Sequence, residues 1–342
     1  MRKAFLLVLL VLPGLLYATA IDGASDQNHG MSVMGVSQSG GYAFMFANPA
    51  ALTGSDERLY ILASYGDRVE SGEQMVNLPS SSLLLSFCGT NLAFSVEVHN
   101  SMTGRTATTD GDTYDSTNST RLQLDWAYAF RRFSFGLSLK TTTYMALSSV
   151  QITDGQRLSD YLVQSLFERY EPMYGATSLS AGFGLLYDDD WLKIGLVSDQ
   201  FAKATTDGTI NFSFMQLYRT LGFGLSVSTP TYSNDGQLNF CKLTVVAELL
   251  DVGDEDNASL KAGLDLRFQL LPDWQVSLRS GYHDTKAGLG LYRFNTDTGC
   301  NSFGIGLMLK RFRVDFGMDV PLSVYTGNGG GVPVTVSLAY IK

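Results

Sequence analysis

Residues 121–140 alternate without a break. In the first arm Arg121, Gln123, Asp125, Ala127 and Ala129 share one face, and Leu122, Leu124, Trp126, Tyr128 and Phe130 share the other. After Arg131-Arg132 the rule resumes, with Phe133, Phe135, Leu137 and Leu139 set against Ser134, Gly136, Ser138 and Lys140. Side chains on a strand alternate faces, so a two-residue turn that sets Phe130 opposite Phe133 puts both apolar rows on one side of the hairpin. One face is then continuous hydrocarbon with aromatic rings at the turn, and the other is small, polar or charged. A soluble sandwich strand has no reason to fill its wet face with glycine, serine and alanine. A membrane-barrel strand does, because that face looks into a lumen while its partner faces lipid.

The same parity recurs in four more hairpins. Leu83, Leu85 and Phe87 turn into Leu92, Phe94, Val96 and Val98; Leu179, Phe183, Leu185 and Tyr187 turn through Asp188-Asp189-Asp190 into Leu192, Ile194 and Leu196. Leu260, Leu264, Leu266 and Phe268 turn at Pro272-Asp273 into Trp274, Val276, Leu278 and Tyr282. Phe303, Ile305, Leu307 and Leu309 turn at Lys310-Arg311 into Phe312, Val314, Phe316 and Met318. Longer polar stretches separate them, at residues 66–80, 101–120, 145–175, 202–218, 284–300 and 321–331. Short turns at one end and long loops at the other are the asymmetry of outer-membrane barrels.

The pattern predicts an all-β fold, a transmembrane antiparallel β-barrel of about fourteen strands. The strands are expected to begin near Arg58, Ser81, Asn91, Thr120, Phe133, Ala176, Trp191, Arg219, Leu238, Ala258, Trp274, Asn301, Phe312 and Pro333. The ninth slips phase between Phe240 and Leu243, as a bulge would make it do. Within 156–170, Leu158, Tyr161, Leu162, Leu166 and Tyr170 recur at three- and four-residue spacing, between Asp154-Gly155 and Pro172. This predicts one helical extracellular loop, either a lid on its neighbours or an apolar landing patch for a ligand. Facing can be tested: Leu137→Arg is expected to cost about 2–4 kcal/mol, and Ser138→Arg little.

Composition agrees. Of 342 residues 45% are hydrophobic and 17% charged, below the roughly 25% charge of ordinary soluble domains. Mean hydropathy is only +0.05, and past the amino terminus there is no apolar run of about 18 residues that would make a helical span. Residues 1–20 read as a signal peptide: Arg2-Lys3, an apolar stretch from Ala4 to Leu12, and Ala18-Thr19-Ala20 before the cut. Removing Arg2 and Lys3 takes the net charge from −9 to −11, against a nucleic-acid partner. The three cysteines, Cys88, Cys241 and Cys300, define no disulfide framework or metal spacing.

Residues 21–55 do not alternate. They are glycine-bearing and partly apolar, a suitable size for a plug within a barrel of this width, leaving 56–342 for the barrel. Pro49 restricts Asn48 to an extended shape, and the Asn48 side chain can satisfy backbone that an irregular segment leaves unpaired. Phe44, Phe46 and Leu52 are candidates to line an apolar pocket, together with the 156–170 helix.

The run FANPAALTG, carried by Asn48, Pro49, Ala50, Ala51 and Leu52 and leading into the first strand, resembles the hatch of FadL-type outer-membrane transporters of long-chain fatty acids. The runs KIGLVSDQF (193–201) and LYRTLGFGLS (217–226) are also similar to a broader group that includes PorV-type barrels, which assist secretion. The first resemblance implies a fourteen-strand barrel with an amino-terminal hatch inside the lumen. It also implies a ligand caught by outer loops and passed through a pocket above the hatch. A kinked third strand opens sideways into the membrane in that family; here residues 92–100 contain no glycine or proline to mark one.

Catalytic and metal motifs are not evident. His29, His99 and His283 are scattered, and no HExxH, P-loop or GxSxG pattern occurs. No enzyme, cofactor or metal is expected. The expected partners are outer-membrane lipid, a long-chain fatty acid or other apolar ligand, and the barrel-assembly machinery during biogenesis. The alternative is a structural, secretion-partner or adhesin barrel in the same membrane that moves no solute.

Overall fold

The computed structural model describes residues 37, 47–54, 58–70, 76–108, 111–152, 172–189, 191–205, 210–212, 217, 219–229, 241–253, 258–271, 273–284, 299–322, 332 and 334–342. These form one antiparallel sheet. Its strands are β1 (Leu59–Glu70), β2 (Val76–Cys88), β3 (Leu92–Thr108), β4 (Gly111–Phe130), β5 (Phe133–Ile152), β6 (Pro172–Asp188), β7 (Leu192–Thr205) and β8 (Ile210–Phe212). The remainder are β9 (Leu221–Ser228), β10 (Cys241–Leu250), β11 (Ser259–Leu271), β12 (Trp274–Asp284), β13 (Gly299–Leu309), β14 (Phe312–Pro321) and β15 (Val334–Ile341). Each pairs with its neighbours, β1 pairs with β15, and β6 and β9 both flank β7. Among the described residues three-residue β8 pairs only with β7, so fourteen strands close the ring. At the seam, Arg58 and Leu59 donate backbone hydrogen bonds to the Lys342 carbonyl at 2.5 and 2.9 Å. Among the described residues no helix is long and apolar enough to cross a membrane, which says nothing of a β-barrel.

The alternation read from the sequence is the inside–outside rule of this wall. On β4, Leu122, Leu124, Trp126, Tyr128 and Phe130 are exposed while Gln123, Asp125 and Ala127 are buried. On β13 and β14, Phe303, Ile305, Leu307, Leu309, Phe312, Val314, Phe316 and Met318 all face out. Aromatic rings gather at the turn end, with Phe133 and Tyr187 5.2 Å apart and Phe312 and Tyr340 5.3 Å apart. Arg131 and Lys310 open their hairpin turns with φ of 57° and 56°, a left-handed conformation that glycine usually takes.

Several expectations change. Residues 101–120 belong largely to an extended β3–β4 hairpin, because backbone pairing continues after the lipid-facing alternation ends. For the same reason β2, β4 and β6 begin four to nine residues ahead of their expected starts at Ser81, Thr120 and Ala176. The third strand is regular over 92–100, but its ladder with β4 shifts between Thr103 and Arg105, where Gly104 sits. No bulge interrupts β10, whose ladder with β11 runs unbroken from Cys241 to Leu250; Phe240 lies outside the described residues. Strand β9 ends opposite Thr244 of β10, so the link between Ser228 and Cys241 lies at the short-turn end and breaks the simple loop asymmetry. The expected helix at 156–170 is outside the described residues, and Pro172, expected to stop it, opens β6. Ser138 is only 5% exposed within a packed interior, so its substitution by arginine would not be cheap.

The barrel has an inner core. Tyr60, Leu62, Leu84, Cys88, Ala93, Ala127, Ala339 and Ile341 point inward near the turn end and enclose Leu52. The three cysteines are free thiols on β2, β10 and β13.

Candidate functional site in the lumen

A row of small residues crosses three strands inside the wall. Ala127 on β4 pairs with Gly136 on β5, which pairs with Gly184 on β6. Residues 48–54 rest on this shelf, with Pro49–Gly54 forming a short 3-10 turn. A Cβ on Gly136 would overlap the backbone of Pro49 and Ala50, and one on Gly184 would overlap the Asn48 side-chain oxygen. Both glycines therefore serve close backbone approach.

Asn48 is fully buried and acts as a two-way clasp. Its Oδ1 accepts the Ala50 amide at 3.0 Å, and its Nδ2 donates to the Leu185 carbonyl at 3.2 Å. The Asn48 carbonyl accepts the Ala51 amide at 2.9 Å, which starts the turn. Thr53 closes it by donating to the Ala50 carbonyl at 3.1 Å, and its hydroxyl lies 2.7 Å from that of Ser134 on β5. Ala50 and Ala51 pack with Leu186, and Leu52 enters the inner core. Further along the ring, the buried Ser37 amide donates to Glu248 Oε1 on β10 at 3.3 Å.

The opposite arc carries an ionic network. Asp265 and Arg267 on β11, Arg279 on β12, and Arg313 and Asp315 on β14 all have inward parity. Arg279 Nη1 donates to Asp315 Oδ1 at 2.6 Å, and Arg279 Nε lies 3.6 Å from Asp265 Oδ1. Arg313 makes a two-pronged contact with Asp315 at 2.5 and 2.9 Å, and Arg267 pairs with Asp265. Arg279 reaches across β13 because position 306 is glycine; a Cβ there would meet Asp315 Oδ1 and sit 2.6 Å from Arg279 Nη2. Buried carboxylates need such partners.

The structure thus brings Asn48, Pro49, Ala50, Ala51 and Leu52 together on one inner surface. Phe44, Phe46, Leu158, Tyr161, Leu162, Leu166 and Tyr170 lie outside the described residues. The shelf glycines and the Asp265–Arg279–Asp315 network escaped sequence reasoning, although glycines and charges on the non-lipid parity were the available signal. At the turn between β6 and β7, Asp188 pairs with Lys193 at 3.0 Å and Asp189 with Arg132 at 2.9 Å. An apolar groove lined by Tyr128, Phe130, Phe133, Tyr187 and Ile194 lies on the outer, lipid-facing side.

No protein-family model matches the chain, and no curated protein matches it. Solved structures do. The toluene transporter TodX of Pseudomonas putida is similar over 96% of this chain and 99% of its own, with a TM-score of 0.54 at 12% identity. The monoaromatic hydrocarbon channel CymD covers 95% and 99%, with a TM-score of 0.53 at 13% identity. A TodX variant described as a deltaS2S3 mutant gives 94%, 99%, 0.56 and 12%. The chain has the fold of FadL-type hydrophobic-substrate transporters, the family its amino-terminal motif resembles.

Proposed function

We propose that this protein is a bacterial outer-membrane channel for small apolar molecules, with residues 21–55 as a hatch in its lumen. The observation that carries the reading is the docking of residues 48–54 on the Gly136–Gly184 shelf. A segment docked through the Asn48 and Thr53 hydrogen bonds and the packing of Ala50, Ala51 and Leu52, rather than woven into the sheet, is suited to shift when ligand arrives. The likeness to channels for toluene and monoaromatic hydrocarbons supports an apolar solute. Long-chain fatty acids remain within the proposal because the hatch motif resembles that of their transporters. The reaction is passage, not catalysis.

The buried inner core and the ionic network favour the second reading, a structural or secretion-partner barrel, because both pack against the inner face of the wall. Uptake of labelled toluene and oleate, compared between cells with and without the protein, separates the two. Loss of one uptake in the deletion, restored by the intact gene, supports transport and names the solute class. Unchanged uptake of both, with no saturable binding of either by purified protein, overturns it.

A further inference from the structure

Near the loop end of the lumen, His283 on β12, Cys300 on β13 and Asp319 on β14 converge. A ring nitrogen of His283, Cys300 Sγ and a carboxylate oxygen of Asp319 all lie within 4.8 Å of one another. We propose that these three side chains bind a thiophilic divalent cation, of which zinc is the natural example.

The register explains how residues far apart in sequence meet. His283 stands directly across from Cys300, while Asp319 stands across from Ser302, the next inward position on β13. All three have luminal parity, so the site is built on rigid strands of the barrel wall. Cys300 is 8% exposed, and His283 and Asp319 are half-buried, which leaves an approach from the lumen. The Ser302 hydroxyl lies 3.5 Å from His283 Nδ1, beside the cluster.

The donor set selects the ion. Thiolate, imidazole and carboxylate suit zinc, whereas magnesium and calcium prefer oxygen ligands throughout. Zinc–ligand bonds of about 2.0–2.3 Å bring donors closer together than the upper bound seen here, so small rotamer shifts complete the site. Binding forms the S–metal bond as the Cys300 S–H bond breaks and its proton leaves to water. A doubly charged cation with one thiolate and one carboxylate makes a neutral site, which a poorly solvated lumen favours. Lys261 on β11 stands in register between His283 of β12 and Glu248 of β10. The bound ion would tie β12, β13 and β14 together about 13 Å along the strands from Arg279 and Asp315, and would leave one coordination position open to the lumen.

The test uses the full-length protein, purified in detergent, stripped with chelator and titrated with cobalt(II). One equivalent is expected to produce a thiolate-to-cobalt charge-transfer band, displaced by zinc and not by a large excess of magnesium. Cys300→Ser should abolish the band, and His283→Gln or Asp319→Asn should weaken binding at least tenfold. A Cys88→Ser/Cys241→Ser variant should bind as the parent does. Heat-modifiable gel migration confirms that each variant forms a barrel, and only variants that pass are compared. Absence of saturable cobalt or zinc uptake by the parent overturns the proposal. So does a band that persists in Cys300→Ser or follows Cys88 or Cys241. None of these outcomes depends on whether the barrel transports a solute.

Discussion

A methyl group on Gly184 would overlap the side-chain oxygen of Asn48: strand β6 and the amino-terminal segment meet through the space that a Cβ would fill. Gly184→Ala must therefore push Asn48 off the Leu185 carbonyl and off the Ala50 amide. We expect it to destabilise the docked segment by about 1–3 kcal/mol, the usual scale of overpacking. Asn48→Ala should cost about 1–2 kcal/mol through the lost cap and the unpaired buried groups. Both changes break one contact, so the double variant should lose clearly less than the sum. Urea unfolding of the four proteins measures the coupling. Planar-bilayer conductance of the same set should rise in each variant if the segment seals the lumen.

Leu52 anchors the segment in the inner core beside Tyr60, Leu62 and Ile341. Leu52→Ala is expected to lower barrel stability by about 2–5 kcal/mol, the cost of a buried leucine truncation. An unchanged unfolding midpoint would mean that the segment leaves the barrel before the barrel unfolds.

Leu137 and Ser138 are neighbours with opposite surroundings, one 40% exposed toward lipid and the other 5% exposed in the lumen. Leu137→Arg should cost about 2–4 kcal/mol if it lies near mid-membrane, and less in thinner bilayers. Ser138→Arg should also destabilise, by overpacking beside buried Lys140, but without dependence on bilayer thickness. Unfolding from liposomes of two acyl-chain lengths distinguishes them. A common response to thickness at both positions would contradict the facing.

The ionic network predicts an asymmetry. Arg279→Met leaves Asp315 with Arg313 and Asp265 with Arg267, so each carboxylate keeps a partner. Asp315→Ala leaves Arg279 and Arg313 buried together with their shared anion removed. We expect about 3–5 kcal/mol for Asp315→Ala and clearly less for Arg279→Met, read as shifts in the urea midpoint. Equal losses would show that Arg279 contributes by packing rather than by charge.

Which side chains face lipid was legible from residue order. Leu122, Leu124, Trp126 and Phe133, Phe135, Leu137 announce their face because a strand repeats every second residue and hydrocarbon on one side tolerates only apolar groups. The Asn48-Pro49-Ala50 motif was legible for a related reason, since it interrupts that alternation just before the first strand. Where strands stop was less so: β4 starts at Gly111, well beyond the membrane-facing pattern, because backbone hydrogen bonding does not end where lipid does.

Contacts between strands are a different kind of information. That Gly136 meets Gly184, that Arg279 crosses β13 to Asp315, and that His283, Cys300 and Asp319 converge all depend on ladder register. Register is a relation between distant segments, and closing the ring through β1 and β15 constrains every ladder at once. Local alternation assigns a residue to the inner surface; the closed ladder assigns its neighbours there, and with them the shelf, the ionic network and the proposed metal site.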